Sequence, residues 1–295
     1  MLSPMAAPDL SAFDNPRYTS PGDGPRIATY DLGGDGPDLL LVHATGFCAG
    51  VWGPVAALLD DFRVTALDVR GHGRSAAPDV HGADQDRAMS WAGTGVDVLT
   101  AVDSLGLTEP VAAGHSMGGA SILIAQLARP GTFRALWGFE PIVMPPEVAA
   151  MNRHNPLAEG ARRRRPSFRS AQAAIDNFAS KPPLSALAPD ALAAYVRYGF
   201  QEHDDGSVTL RCSPEVESAT YQMGSQHHTF ERLGELEVPV TVARGNVEQF
   251  GPAAFAALIA EGLPLGVLEA HDELGHFGPL EDPATTAASI RAALG

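Results

Sequence analysis

Short apolar runs closed by polar or glycine-containing turns alternate along this chain with longer segments whose apolar residues recur at helical spacing. Arg26 to Leu32, Asp38 to His43, Phe62 to Asp68, Val111 to Ala113, Ala135 to Glu140, Pro239 to Arg244 and Pro264 to Glu269 read as strands. Val51 to Asp60, Met89 to Leu105, Ala120 to Arg129 and Pro283 to Leu294 read as helices; in the second, Val96, Leu99, Val102 and Leu105 share a face. Strands that are apolar throughout are buried on both faces. The pattern therefore predicts an α/β fold, a mostly parallel twisted sheet with helices on both faces.

The rhythm changes between residues 142 and 233. Strands become scarce there, apart from a short one at Val208 to Arg211, and helices at Ser170 to Ala179, Pro189 to Tyr198 and Pro214 to Met223 are joined by Pro- and Gly-containing turns. Residues 142–233 are expected to form a helical lid inserted into a core of residues 26–141 and 234–295. Residues 1–25, rich in Pro, Gly and Asp, are expected to be an arm that supplies at most one edge strand.

Charge sharpens that division. The whole chain carries −15, which argues against nucleic acid as a partner, yet Pro141 to Phe200 holds eight basic residues, Arg153 and Arg162 to Arg165 among them, against four acidic ones. The run Arg162 to Arg165 could bind an anion, but a solvated lid face is the favoured reading. No apolar run approaches the ~20 residues that span a bilayer, and the N-terminus, with Pro4 and Pro8, lacks the basic start and apolar centre of a secretory signal. Cys48 and Cys212 fit no metal spacing and read as free thiols of a cytoplasmic protein.

The chemistry begins at Gly114-His115-Ser116-Met117-Gly118-Gly119, where a short apolar strand runs through G-x-S-x-G into a helix. This is a nucleophile elbow, which presents a serine hydroxyl on a strained turn. Ser116 needs a base, and that base needs a carboxylate to orient it. His276, in Gly275-His276-Phe277-Gly278 before the closing helix, is the expected base. Two places suit the acid. Glu140 ends an apolar run and is stopped by Pro141; burying such a carboxylate without a partner is costly, and a histidinium would be a suitable partner. Glu140 is preferred on that ground. Glu248, beyond the strand Pro239 to Arg244, is the alternative, and Asp272 ranks third. The oxyanion donors are expected to be the N–H groups of Met117 and Thr45, the latter in His43-Ala44-Thr45-Gly46-Phe47, where His43 and Gly46 shape the turn.

Other motifs read as structural. His271 and His276 are five apart with Gly275 between them, which does not fit a zinc-protease helix. Asp68 to Ser75 is a loop with Arg70 and Arg74 in polar networks, and His227 and His228 lie on the lid surface. No cofactor and no metal are expected.

Assembled, these segments resemble the α/β-hydrolase superfamily. Val42 to Gly46 is similar to its oxyanion loop, with Ala44 in place of the usual glycine; Asp68 to Ser75 looks like its D-x-R-G-H-G-x-S loop, and His276 matches its histidine. A glutamate in the position of Glu140 is similar to some lid-bearing lactone hydrolases, including zearalenone-type enzymes. The resemblance implies a serine hydrolase of a small, largely apolar carboxylic ester or lactone, working through an acyl-enzyme on a small-molecule substrate, with no membrane partner. Phe168, Phe178, Tyr195, Tyr198 and Tyr221 of the lid are expected to shape the pocket. C–C bond hydrolysis, acyl transfer, cofactor-free perhydrolysis and non-catalytic ligand reception remain open, as does the oligomeric state, a homodimer included.

Overall fold

In the computed structural model, which describes residues 9–20, 22, 24–81, 85–151, 155–248 and 251–295, eight strands form one sheet. Pro4, Pro8 and Arg153 lie outside the described residues. In chain order the strands are β1 (Arg17–Thr19), β2 (Ile27–Gly33), β3 (Asp38–Val42), β4 (Arg63–Asp68), β5 (Val111–His115), β6 (Ala135–Phe139), β7 (Ser167–Phe168), β8 (Phe200–Glu202), β9 (Val208–Leu210), β10 (Val240–Arg244) and β11 (Gly266–Ala270). The large sheet runs β1-β2-β4-β3-β5-β6-β10-β11. β1 and β2 are antiparallel to their neighbours, and every pair from β4 to β11 is parallel. The fold is thus the mostly parallel α/β sheet that the apolar runs predict, with β1 at one edge.

β3 and β5 sit in the middle of the sheet and are almost entirely buried, as strands covered on both faces must be. Parallel register brings the ends of β3, β5, β6 and β10 to one edge: Val42 pairs with Gly114, His115 with Phe139, and Phe139 with Ala243. The residues just beyond those ends are therefore neighbours in space.

Three details depart from the sequence pattern. The segment from Val51 is a 3₁₀ turn, Ala49–Trp52, followed by one helical turn, Gly53–Ala56; Pro54 has no N–H to continue a longer helix. In the helix Trp91–Leu105 the buried residues are Trp91, Thr94, Gly95, Asp97, Val98, Ala101 and Val102, while Val96 is exposed. A methyl on Gly95 would lie 2.6 Å from Ile124, so close approach of two helices, rather than side-chain size, selects the face. Finally, residues 142–233 contain a three-stranded antiparallel sheet, β7-β9-β8, besides the helices Ala171–Ala179, Pro189–Gly199 and Pro214–Met223. Strands of two or three residues are too short to show a periodic pattern.

Among the described residues no helix is long and apolar enough to cross a membrane. Cys48 and Cys212 are buried free thiols.

Candidate active site

Ser116 stands between β5 and the helix Met117–Ala128 at φ +56°, a left-handed conformation that costs a serine free energy and must be enforced by its surroundings. Backbone bonds on both sides enforce it. The Ser116 N–H donates to the Phe139 carbonyl at 2.9 Å, and the Ser116 carbonyl accepts from Ile142 at 3.2 Å and Ala120 at 3.1 Å. The glycines make the bend sterically feasible. A methyl on Gly118 would lie 2.1 Å from the Val42 carbonyl oxygen, and one on Gly114 would lie 2.5 Å from the Gly118 backbone.

Glu140 also adopts a left-handed conformation, at φ +43°, one residue past β6. Its N–H donates to the Ala243 carbonyl at 2.8 Å, so β10 fixes the turn. The side chain is 2% exposed and fully engaged: Oε1 accepts the Gly245 N–H at 2.8 Å, and Oε2 lies 2.6 Å from His276 Nδ1. A carboxylate at Oε2 makes Nδ1 the protonated nitrogen, which leaves Nε2 free to accept. His276 Nε2 lies 3.2 Å from Ser116 Oγ. Ser116, His276 and Glu140 thus form one hydrogen-bonded line. Glu248 is elsewhere, exposed in a turn where its N–H donates to Asn246 Oδ1 at 2.8 Å. Asp272 pairs with Arg244 on the surface.

Residues not singled out for this purpose in the sequence hold His276 in place. His115 Nε2–H donates to the His276 carbonyl at 2.7 Å, tying the histidine loop to the end of β5. Burial, followed by the nearby His276 charge, holds the His115 pKa well below the usual imidazole value, so it remains a neutral strut. The Glu281 carboxylate accepts the N–H groups of Gly275 at 2.8 Å and Phe277 at 3.1 Å, gripping the loop on both sides of His276. The sequence signal for His115 was a polar residue closing an otherwise apolar strand; Glu281 has no comparable local signal.

Met117 begins its helix, so its N–H has no intrahelical acceptor. Thr45 lies across from it, with Thr45 Oγ1 3.4 Å from Met117 Sδ. The turn carrying Thr45 closes through Phe47 N–H to the Ala44 carbonyl at 3.2 Å, with Gly46 at φ +80°. Ala44 takes no left-handed conformation; among the described residues only Glu109, Ser116 and Glu140 do so without being glycine. Its methyl therefore does not strain the loop. His43 shapes the turn, with Nδ1 2.8 Å from the Ala44 carbonyl and Nε2 accepting the Val69 N–H at 3.1 Å. Arg70 is in a buried network with Asp97, at 2.7 Å. The loop after β4 is also anchored by Asp68, which accepts the N–H groups of Ala49 and Arg74 and the Tyr30 hydroxyl.

A cavity of about 710 Å³ opens between the sheet end and residues 142–233. Thr45, Gly46 and Phe277, which flank Ser116 and His276, bound it on one side; Ser116 itself is 7% exposed and lies outside the wall. Phe168, Phe178, Tyr195 and Tyr221 line it as expected. Tyr198 does not: it packs on Phe13, ring centroids 5.3 Å apart, and over Gly50. Two further expectations are corrected here. Arg164 is not on a solvated face; it lines the cavity, half-buried, with Nη1 donating to Glu217 and Nη2 donating to the Tyr195 hydroxyl at 2.6 Å. Burial alone would lower its pKa, but Tyr195 and Glu217 beside it hold it above the ordinary arginine value. His227 is stacked on Trp91 at 5.4 Å and hydrogen-bonded to the Ile142 carbonyl at 3.0 Å, an interior contact that an apolar indole surface favours; His228 is exposed as expected.

Known proteins share this architecture. Over 106 residues, 36% of this chain, it is 32% identical to the (E)-2-((N-methylformamido)methylene)succinate hydrolase of Acinetobacter baylyi, of which the match covers 38%. A shorter match of 46 residues, 15% of the chain, is 46% identical to the pimeloyl-[acyl-carrier protein] methyl ester esterase of Methylococcus capsulatus and covers 18% of it. The chain thus spans well under half the length of these relatives. The crystal structure of E-2-(acetamidomethylene)succinate hydrolase superposes with a TM-score of 0.75 at 19% identity, covering 94% of this chain and 98% of that one. The model of the Alpha/beta hydrolase family matches residues 39–289, and the chain belongs to that family.

Proposed function

We propose that this protein is a serine hydrolase that cleaves a small carboxylic ester or lactone through an acyl-enzyme. The hydrogen-bonded line from Ser116 Oγ through His276 to Glu140 carries the reading. Ser116 Oγ attacks the acyl carbon while its proton passes to His276 Nε2. Glu140 holds the ring by Nδ1–H and stabilises the imidazolium. The N–H groups of Met117 and Thr45 receive the oxyanion. The acyl–oxygen bond then breaks, and His276 returns the proton to the departing alkoxide. Water then attacks the acyl-enzyme with its proton going to Nε2; the acyl–Oγ bond breaks as Nε2 returns that proton to Ser116 Oγ, which releases the carboxylic acid and free Ser116. Residues 142–233 act as the lid that shapes the acyl pocket. The relative named as a methyl ester esterase supports ester hydrolysis.

A fluorophosphonate probe tests the reading. It is expected to label Ser116 stoichiometrically, and either 4-nitrophenyl esters are expected to turn over with a burst of 4-nitrophenol or lactones to be hydrolysed. A folded protein that takes no label and turns over none of them contradicts it.

A further inference from the structure

We propose that the cavity over the Thr45–Gly46 loop recognises an anion, and that Arg164 is its specificity-determining residue: the preferred substrate carries a carboxylate on its acyl portion. This rests on the serine-hydrolase reading and replaces the largely apolar substrate that the aromatic residues suggest.

The charge distribution points there. In a chain of net charge −15, Arg163, Arg164, Arg165 and Lys181 all line this one cavity, against a single carboxylate, Glu217. Arg163, Arg165 and Lys181 are exposed and Arg164 lies deeper. A cationic mouth on an acidic protein draws anions to itself while the remaining surface repels them. The exposed cations are partly occupied: Arg163 pairs with Glu159 at 3.2 Å, and Arg165 lies 4.5 Å over the Phe168 ring.

Arg164 is held differently. Glu217, only 5% exposed, and the buried Tyr195 hydroxyl fix the guanidinium in one orientation. Those contacts use two of its five N–H donors. A planar, pre-oriented fork with donors to spare is the group best suited to a carboxylate. It also stands beside the oxyanion loop. A methyl on Gly46 would lie 2.6 Å from Glu217 Oε1 and 3.3 Å from Arg164 Nη1. An anion bound there would stand beside the loop whose Thr45 N–H is proposed to receive the oxyanion, and the carboxylate is therefore placed on the acyl portion.

The test compares 4-nitrophenyl hydrogen glutarate with its methyl ester, a pair differing in charge at the far carboxyl group. The wild-type protein is expected to favour the anion by about tenfold in kcat/KM, as a charge-assisted hydrogen bond implies. Arg164→Gln should remove that preference through KM for the anion, Arg164→Lys should restore part of it, and Glu217→Gln should keep or increase it. A merely structural ion pair would instead give equal losses on both substrates from Arg164→Gln and Glu217→Gln. Either that result or a wild-type protein indifferent to charge overturns the proposal. If Arg164→Gln fails to fold, the double variant Arg164→Gln/Glu217→Gln removes both charges and takes its place. Calorimetry of glutarate with Ser116→Ala separates the two readings. Binding that weakens in Arg164→Gln supports the anion site even if no ester is cleaved; no binding, alongside fluorophosphonate labelling of the wild type, sinks the anion site and leaves the serine hydrolase standing.

Discussion

Glu140 and Arg164 are both charged side chains kept largely out of water, one at the end of the sheet and one in the segment packed over it. Glu140 is placed mainly by backbone: β6 delivers it, the Ala243 carbonyl fixes its turn, the Gly245 N–H holds one carboxylate oxygen, and only the other meets a side chain, the His276 ring. Arg164 lies in the irregular stretch between the helix Pro156–Arg162 and β7. It relies on side chains from two other helices, Tyr195 and Glu217. The difference teaches where precision comes from. Parallel register fixes strand-end residues relative to one another, as reaction geometry requires. An ion pair from an irregular stretch to a helix fixes a charge but lets its surroundings vary, which suits substrate choice.

That contrast can be broken at several points. Ser116→Ala is the harshest test of the sheet end: kcat on any cleaved ester should fall by about 10⁵-fold, with an unchanged thermal melt showing that the fold survives. Gly118→Ala should instead damage the structure itself, costing about 3 kcal/mol or more in urea denaturation, because the obstructing atom is the Val42 carbonyl oxygen and cannot rotate away. Gly160, in a helix of the insertion, is its counterpart: a methyl there meets nothing within 4 Å, so Gly160→Ala should be stabilising by about 0.5–1 kcal/mol.

The sheet end should also respond to acid. Burial holds His43 down to about 4 and, with the His43 charge adding to it, His72 down to about 3, both from an ordinary value of 6.5. Depressed folded-state values mean that these histidines contribute full stability above pH 6.5. Below it the unfolded chain takes up protons that the folded one refuses, so stability declines as pH falls toward 4. The slope should be about 1.4 kcal/mol per pH unit for each histidine, read from urea midpoints. His72→Gln should flatten it; an unchanged slope would show that His72 is not the neutral group its burial implies. A side chain from the segment between β6 and β10 completes the comparison. Tyr195→Phe removes one donor–acceptor contact to Arg164 and should cost about 1.5 kcal/mol by the same urea measurement, with the sheet end unaffected.

What could be read from the amino-acid order follows the same divide. Ser116, His276 and Glu140 each stand at a strand end or in a loop leading into a helix, and continuous apolar runs mark such ends plainly. Glu140 was separable from Glu248 by one physical consideration, the cost of burying a carboxylate where an apolar strand meets a proline. The insertion offered no such handle. Arg162 to Arg165 read as four equivalent solvated arginines, because the partners that single out Arg164 lie 31 and 53 residues away. Tyr198 and Tyr195 were indistinguishable for a related reason: three residues apart on one helix, they meet different neighbours, Phe13 for one and Phe47 for the other. His227 needed Trp91 beside it before its interior position could be known.

The most direct measurement is a paired substitution at the two glutamates, with kcat/KM followed on one ester. Glu140→Gln should lower it by about 10⁴-fold, since an amide at Oε2 no longer holds the Nδ1–H tautomer of His276, while Glu248→Gln should change it less than about twofold, as expected for an exposed side chain. Near-full turnover in Glu140→Gln together with its loss in Glu248→Gln would contradict the convergence of Ser116, His276 and Glu140 as the working site.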